Sequence, residues 1–147
     1  MIRSVITRKY KFSAAHRLEG HPKCGRPHGH NYVLEVSVSG EKDRSTGMLI
    51  DFANLDAIIK PIVEKFDHMW LYSADNVTAN CPYTIIARER SEAVFVGTHS
   101  TCECMIEFLY GMLVEGLSRW TTMHEAPSLN IRRLRLWETE NGMATFP

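Results

Sequence analysis

Hydrophobic and polar residues alternate along "NYVLEVSVSG", residues 31–40: Tyr32, Leu34, Val36 and Val38 share one face, and Glu35 and Ser37 take the other. That period of two predicts a half-buried strand. "SVITRKYKF", residues 4–12, is rich in β-branched and aromatic types and predicts an earlier one. The turn chemistry of "DRSTG", residues 43–47, ends this part. The period then changes. Phe52, Leu55, Ile58, Ile59, Ile62, Val63 and Phe66 recur at helical spacing behind Asp51, a cap residue, and Pro61 inside the run predicts a kink or a break into two pieces. Met105, Phe108, Leu109, Met112, Leu113, Leu117 and Trp120 predict a second helix, with Thr101 as its cap and Glu103 in its first turn, where a carboxylate suits the helix dipole. Strand character returns in "SLNIRRLRLWETE", and "MATFP" is placed to close the sheet. In the stretch 73–98, "SADNVTANCP" reads as loop, and "TIIA" and "AVFV" around the charged "RERSE" predict a hairpin.

Hairpin-like neighbours without regular βαβ alternation give an α+β class with an antiparallel sheet and two helices on one face. Two helices cover only one side, so the other is solvated or buried in an oligomer. The 147 residues amount to one domain, and 44% hydrophobic residues suffice for a core. Lys+Arg and Asp+Glu are 17 each, which argues against an extended nucleic-acid or membrane footprint. The opening "MIRSVITRKYKF" has no signal-peptide h-region, and no apolar run reaches the roughly 20 residues of a membrane span. Cys24, Cys81, Cys102 and Cys104 show neither disulfide-scaffold nor zinc-knuckle spacing, so a reduced, cytoplasmic protein is expected.

The chemistry concentrates in "KCGRPHGHNY", residues 23–32. His28 and His30, two apart at the start of a strand, project from the face that carries Tyr32, Leu34 and Val36, and Gly29 between them allows a close backbone approach. Two converging imidazoles make half of a zinc site, although an H-x-H pair also occurs by chance on a polar edge. His16, ending the first strand in "FSAAHRL", is the candidate third ligand if the two strands pair, and His21 in the intervening loop is its competitor. Cys24 is either a fourth ligand that closes the site or a thiol beside an open one, and the spacing leaves both available. Asp67 precedes His68 in "FDHMWL", as a tuned imidazole pair or as a helix-end acid beside a half-exposed histidine. Glu138 shares parity with Leu134 and Leu136, so it is either an inward-facing ligand-binding acid or the first polar residue at a strand end.

Taken in order, "FSAAHRL", "KCGRPHGHNY", "TGMLIDFANL", "FDHMWL", "STCECMIEFL" and "LWET" resemble the 6-pyruvoyltetrahydropterin synthase family, over nearly all of the chain outside 73–98. Three residues separate Cys24 from His28, as in the branch that forms the carboxy product for 7-deazaguanine and queuosine synthesis. The resemblance implies the tunnelling fold, in which subunits join their sheets into a barrel, and a trimer-based homo-oligomer of hexamer size. It implies Zn2+ held by His16, His28 and His30, Cys24 as catalytic thiol, and Asp67 with His68 as a proton-transfer pair across a subunit boundary. It implies that Glu138 anchors the guanidine-like edge of a pterin and that Thr101 and Glu103 help hold the ring.

The implied substrate is 7,8-dihydroneopterin triphosphate, which a zinc-dependent lyase would convert to 6-carboxy-5,6,7,8-tetrahydropterin with loss of triphosphate and acetaldehyde. A thiolate beside a cation is favoured at neutral pH, which suits Cys24 as a base. Lys23, Arg26 and Arg17 lie near the site in sequence, without one being assigned to the phosphates. Elimination of triphosphate alone, a different tunnelling-fold enzyme acting on a purine or pterin, and a non-catalytic zinc-stabilised module are the alternatives. Tyr72 stands where the family often has Asn, Ser100 replaces a common Pro and Cys104 a common Asn, and 73–98 is longer than usual.

Overall fold

The computed structural model describes residues 3–147. Strands β1 (Ser4–His16) and β2 (His28–Gly40) pair antiparallel along their whole length, from Ser4 opposite Gly40 to His16 opposite His28. The alternation seen in the sequence sets the register: Tyr10, Phe12 and Ala14 of β1 and Tyr32, Leu34, Val36 and Val38 of β2 all turn to one buried face. A slip by one residue would bring Lys9 and Lys11 into that core. Later in the chain, β5 (Asn130–Thr139) adds antiparallel to β2, and β6 (Gly142–Phe146) returns along β5.

Two long helices cover the buried face. Helix α1 (Phe52–Glu64) is capped by Asp51, whose side chain accepts from the Ala53 N–H at 2.7 Å. It runs unbroken through Pro61, so the expected break is absent. The proline sits in the last turn with its ring exposed and forfeits a single backbone bond. Asp56 on this helix accepts from Arg8 at 3.1 and 2.6 Å and from the Tyr10 hydroxyl at 2.8 Å. The Arg8 hydrogen bonds, aided by Tyr10 and nearby positive charge, hold the Asp56 carboxyl down to about 2. This clamp fixes α1 over β1, and the turn after α1 delivers Asp67 and His68.

The stretch 73–98 corrects two expectations. It contains no hairpin: β3 (Met69–Tyr72) lies parallel to β1, and β4 (Ala93–Phe95) lies parallel to β3. The sheet order is β4-β3-β1-β2-β5-β6, so the expected antiparallel sheet is mixed at one edge. Parallel neighbours need a crossover. It is supplied by α2 (Ala74–Thr78), in the segment expected to be loop, and α3 (Pro82–Glu89), which includes the "TIIA" expected to be a strand. Pro82 starts α3, where its missing N–H costs nothing. The helix hides from a hydrophobicity reading because its apolar side chains point out. Ile86 is 52% exposed, whereas Thr84 is 1% exposed and accepts from the Trp70 indole N–H at 2.9 Å.

The last helix, α4 (Cys102–Met123), lies beside α1 and against β5 and β6. Thr101 caps it as expected, accepting from the Cys104 N–H at 3.3 Å. Thus two long helices and the core lie on one face, whereas α3 packs on Trp70, whose strand partner Ala15 belongs to the opposite face. Elsewhere on that opposite face Lys9, Lys11 and Asn31 are exposed. Among the described residues, no helix is long and apolar enough to cross a membrane.

Candidate metal centre and substrate cleft

The β1–β2 register brings three histidines together. His16 pairs with His28, and His30 lies two residues further along the same face. Their ring centroids are 4.7 Å (His16–His28), 5.2 Å (His16–His30) and 4.9 Å (His28–His30) apart, and one nitrogen from each ring falls within 4.8 Å of the other two. Gly29 favours this close approach: a Cβ there would stand 3.1 Å from the Ala14 carbonyl oxygen, a tight contact.

The protonation pattern suits a metal. Nδ1 of His16 lies 2.8 Å from the Ser100 carbonyl oxygen, and Nδ1 of His28 lies 2.6 Å from that of Arg26. A carbonyl only accepts, so each Nδ1 carries the proton and each Nε2 keeps its lone pair. His16 is 1% exposed, and its Nε2 is buried with no hydrogen-bond partner. A buried nitrogen left in this state is costly unless something binds it. Burial pushes the His16 imidazolium down to about 4, and burial lowers His30 as well, so both rings are neutral at physiological pH, as ligation requires. Three imidazole nitrogens form a donor set for a tetrahedral metal with its fourth position open. Among the described residues, no other group of three such side chains converges in this way.

Cys24 and His21 are outside that cluster. They belong to the loop 17–27, which closes on itself. Cys24 C=O accepts from the Leu18 N–H at 2.8 Å, and His21 C=O accepts from the Gly25 N–H at 2.9 Å. His21 Nδ1 accepts from the Cys24 N–H at 2.9 Å and the Lys23 N–H at 3.2 Å, so the competing histidine serves as an internal brace for the loop. Gly25 cannot be enlarged in this conformation, because a Cβ would lie 2.4 Å from the His21 carbonyl oxygen. The half-buried Cys24 thiol is therefore carried on a fixed loop between two of the strand ends that bear the histidines.

Glu138 keeps the inward parity expected of it. Its Oε1 lies 3.6 Å from Nε2 of both His16 and His30. A cleft of about 360 Å³ adjoins it, lined by Glu138, Thr101, Glu103, Cys102, Leu18 and Met143 among others, so the three expected substrate-binding residues share one concavity. Asp67 and His68 are placed elsewhere. Asp67 Oδ2 lies 3.0 Å from His68 Nδ1, and Asp67 Oδ1 accepts from the Ser13 N–H at 2.9 Å. The Ser13 N–H and His68 together keep the Asp67 carboxyl below its usual range. Adjacent residues manage this contact because His68 adopts a left-handed backbone, φ 59°. The imidazole is exposed and opens, with Ser13, Gly29, His30, Asn31 and Trp70, onto a hollow of about 440 Å³. Asp67 and His68 are not among the three converging donors.

Sequence reasoning missed the groups that orient the site. The carbonyls of Ser100 and Arg26 set the tautomers, and main-chain acceptors carry no side-chain signature. Buried Asn76 of α2 donates to Glu19 at 2.9 Å and to the Arg17 carbonyl at 3.4 Å, tying the crossover to the chain just beyond His16. His99 and Asp75 form a close hydrogen-bonded pair in a neighbouring cleft, and nothing in their local sequence announces it.

Comparison with known proteins places this site in context. A family model described as 6-pyruvoyl tetrahydropterin synthase matches residues 5–147. A relative from Haemophilus influenzae, named 6-carboxy-5,6,7,8-tetrahydropterin synthase, is 30% identical over 146 residues, covering 96% of each chain. An Archaeoglobus fulgidus protein bearing the same name, qualified as putative, is 52% identical over 60 residues, which cover 41% of this chain and 51% of that one. The crystal structure of Plasmodium vivax 6-pyruvoyl tetrahydropterin synthase superposes with a TM-score of 0.74 over 99% of this chain and 98% of its own, at 15% identity, a likeness of fold.

Proposed function

The chain belongs to the 6-pyruvoyl tetrahydropterin synthase family, a family of lyase-type pterin enzymes, and from that premise we propose that it is a zinc-dependent 6-carboxy-5,6,7,8-tetrahydropterin synthase. The reaction takes 7,8-dihydroneopterin triphosphate and one water to 6-carboxytetrahydropterin, acetaldehyde and triphosphate. The observation that carries this reading is the set of three converging imidazoles, one with an unpartnered buried Nε2, beside a cleft that holds Glu138, Thr101 and Glu103.

His16, His28 and His30 would hold the metal, and bound zinc supplies a Lewis acid for the hydroxyls and carbonyl of the substrate side chain. Glu138 accepts from the amino group and ring N–H of the pterin, a two-point match between a carboxylate and a guanidine-like edge. Thr101 and Glu103 line the same ring pocket. Cys24, on its braced loop, takes a proton from the side-chain carbon next to the ring. His68, kept in place by Asp67, passes a second proton as triphosphate leaves. The carboxy branch then breaks the carbon–carbon bond of the three-carbon chain. The hydroxyl of water goes to the carbon that stays on the ring, and its hydrogen goes to the departing acetaldehyde. The alternative branch keeps that bond and stops at the 6-pyruvoyl compound. Incubation of the zinc-loaded protein with 7,8-dihydroneopterin triphosphate, followed by mass analysis, tests the reading. Acetaldehyde and the 6-carboxy product are expected, and a 6-pyruvoyl product without acetaldehyde would move the chain to the other branch.

The Asp67–His68 pair lies outside the three-histidine cluster, and we read the site as shared between subunits of a trimer-based homohexamer working in the cytoplasm on a small molecule, with no nucleic-acid or membrane partner. Equal numbers of acidic and basic residues and four free cysteines accord with that setting. Mixing inactive Cys24→Ala with inactive His68→Ala protein in equal amounts, under conditions of subunit exchange, should restore about a quarter of the wild-type activity, because about one shared site in four then pairs an intact Cys24 with an intact His68. No recovery, with exchange verified, would mean that each chain completes its own site.

A further inference from the structure

We infer that Cys102 is a positioning residue for the substrate cleft: its thiol fastens the start of α4 to β5 and so sets the gap between the Thr101–Glu103 wall and Glu138. The inference rests on the pterin-cleft reading above and adds a residue to which that reading gives no role.

Cys102 is the first residue of α4, between the cap Thr101 and Glu103. Its Sγ lies 3.1 Å from the carbonyl oxygen of Leu136, and the thiol donates to it. Leu136 precedes Glu138 by two residues on β5, so both turn toward the same face. Ala144 on β6 is the strand partner of Leu136. One thiol thus ties α4 to β5 at the cleft, which Cys102 and Ala144 themselves help to line. Burial pushes the thiol up to about 11, so it remains a donor throughout the working range.

A second observation points to a ligand at this place. Tyr32 is fully buried, its hydroxyl has no partner, and it lies within electrostatic reach of both Glu138 and Cys102. The cleft itself is walled by the carboxylates of Glu103 and Glu138, which suit a donor-rich guest. The staple keeps those walls apart at a set width. A flat, donor-rich heterocycle edge fits such a gap only if Glu138 is held in register with the helix start.

Cys102→Ala removes the donor and leaves space, whereas Cys102→Ser keeps an O–H donor of similar reach. Steady-state kinetics with 7,8-dihydroneopterin triphosphate, zinc content, thermal midpoint and fluorescence titration with 6-carboxypterin separate the possibilities. For Cys102→Ala the expected result is a KM and a pterin Kd each raised about tenfold, with kcat within twofold of wild type and zinc unchanged. Cys102→Ser should return to within about threefold of wild type. An unchanged KM and Kd in active Cys102→Ala would overturn the inference alone. Equal impairment of both variants, with matching losses of thermal midpoint, would overturn it by reducing the thiol to packing. Wild-type protein that neither turns over the substrate nor binds 6-carboxypterin would remove the inference together with the reading beneath it.

Discussion

Replacement of His16 by alanine should empty the metal centre and abolish turnover. His16 is the most enclosed of the three rings, and it brings an Nδ1–H already committed to the Ser100 carbonyl and an Nε2 with no partner of its own. Losing only an outer-shell partner of a metal-bound histidine costs about 10–100-fold in affinity, and losing the nitrogen itself costs more. Two remaining imidazoles cannot close a three-nitrogen set, so dialysed His16→Ala protein should hold less than about a tenth of the zinc of wild type. His28→Ala and His30→Ala should behave alike. His21→Ala is the control: its Nδ1 braces the Cys24 loop, so the metal should stay while activity falls. Elemental analysis of the four proteins decides. Full zinc in any of the first three would strike that residue from the ligand set.

Cys24→Ala should keep its metal and its fold and lose turnover by about 10²–10⁴-fold, the range expected for removal of a proton-transferring group. A fourth protein ligand would leave no position for substrate oxygens, and its removal would loosen the metal and lower stability together. The geometry favours the open alternative. The sulfur is outside the cluster, and the loop is braced by its own backbone bonds, by His21 and by the tight approach at Gly25. Alkylation of wild type should give the same phenotype as the substitution, and bound substrate should slow it. Zinc lost from Cys24→Ala, with a lower melting temperature, would instead make the cysteine a ligand.

Much of this arrangement was legible because it follows the strand period. The two-residue alternation placed Tyr32, Leu34, Val36 and Val38 inward and carried His28 and His30 with them, and pairing of β1 with β2 then delivered His16. The caps Asp51 and Thr101 were readable because a single side chain performs the task. The parallel edge was not. Its helix α3 buries Thr84 and Ala87 and exposes Ile85 and Ile86, which inverts the pattern on which a sequence reading depends. The wall of the cleft formed by Gly142, Met143 and Ala144 comes from a strand whose residues look like a terminal closure and nothing more. The carbonyls of Ser100 and Arg26 are invisible in principle, since every residue offers one.

The register of the histidines also bears on the order in which the site assembles. All three nitrogens come from residues 16–30, on two strands joined by a short loop, so the donors converge as soon as that one hairpin closes, at low loop-closure entropy. The carbonyl that fixes the His16 tautomer comes from Ser100, 84 positions away, and arrives only when α4 docks. A chain that closes this hairpin first would gather its metal donors before the Ser100 carbonyl arrives to orient the most buried one. In that order His16 would present either nitrogen until the Ser100 carbonyl takes Nδ1 and leaves Nε2 for a metal.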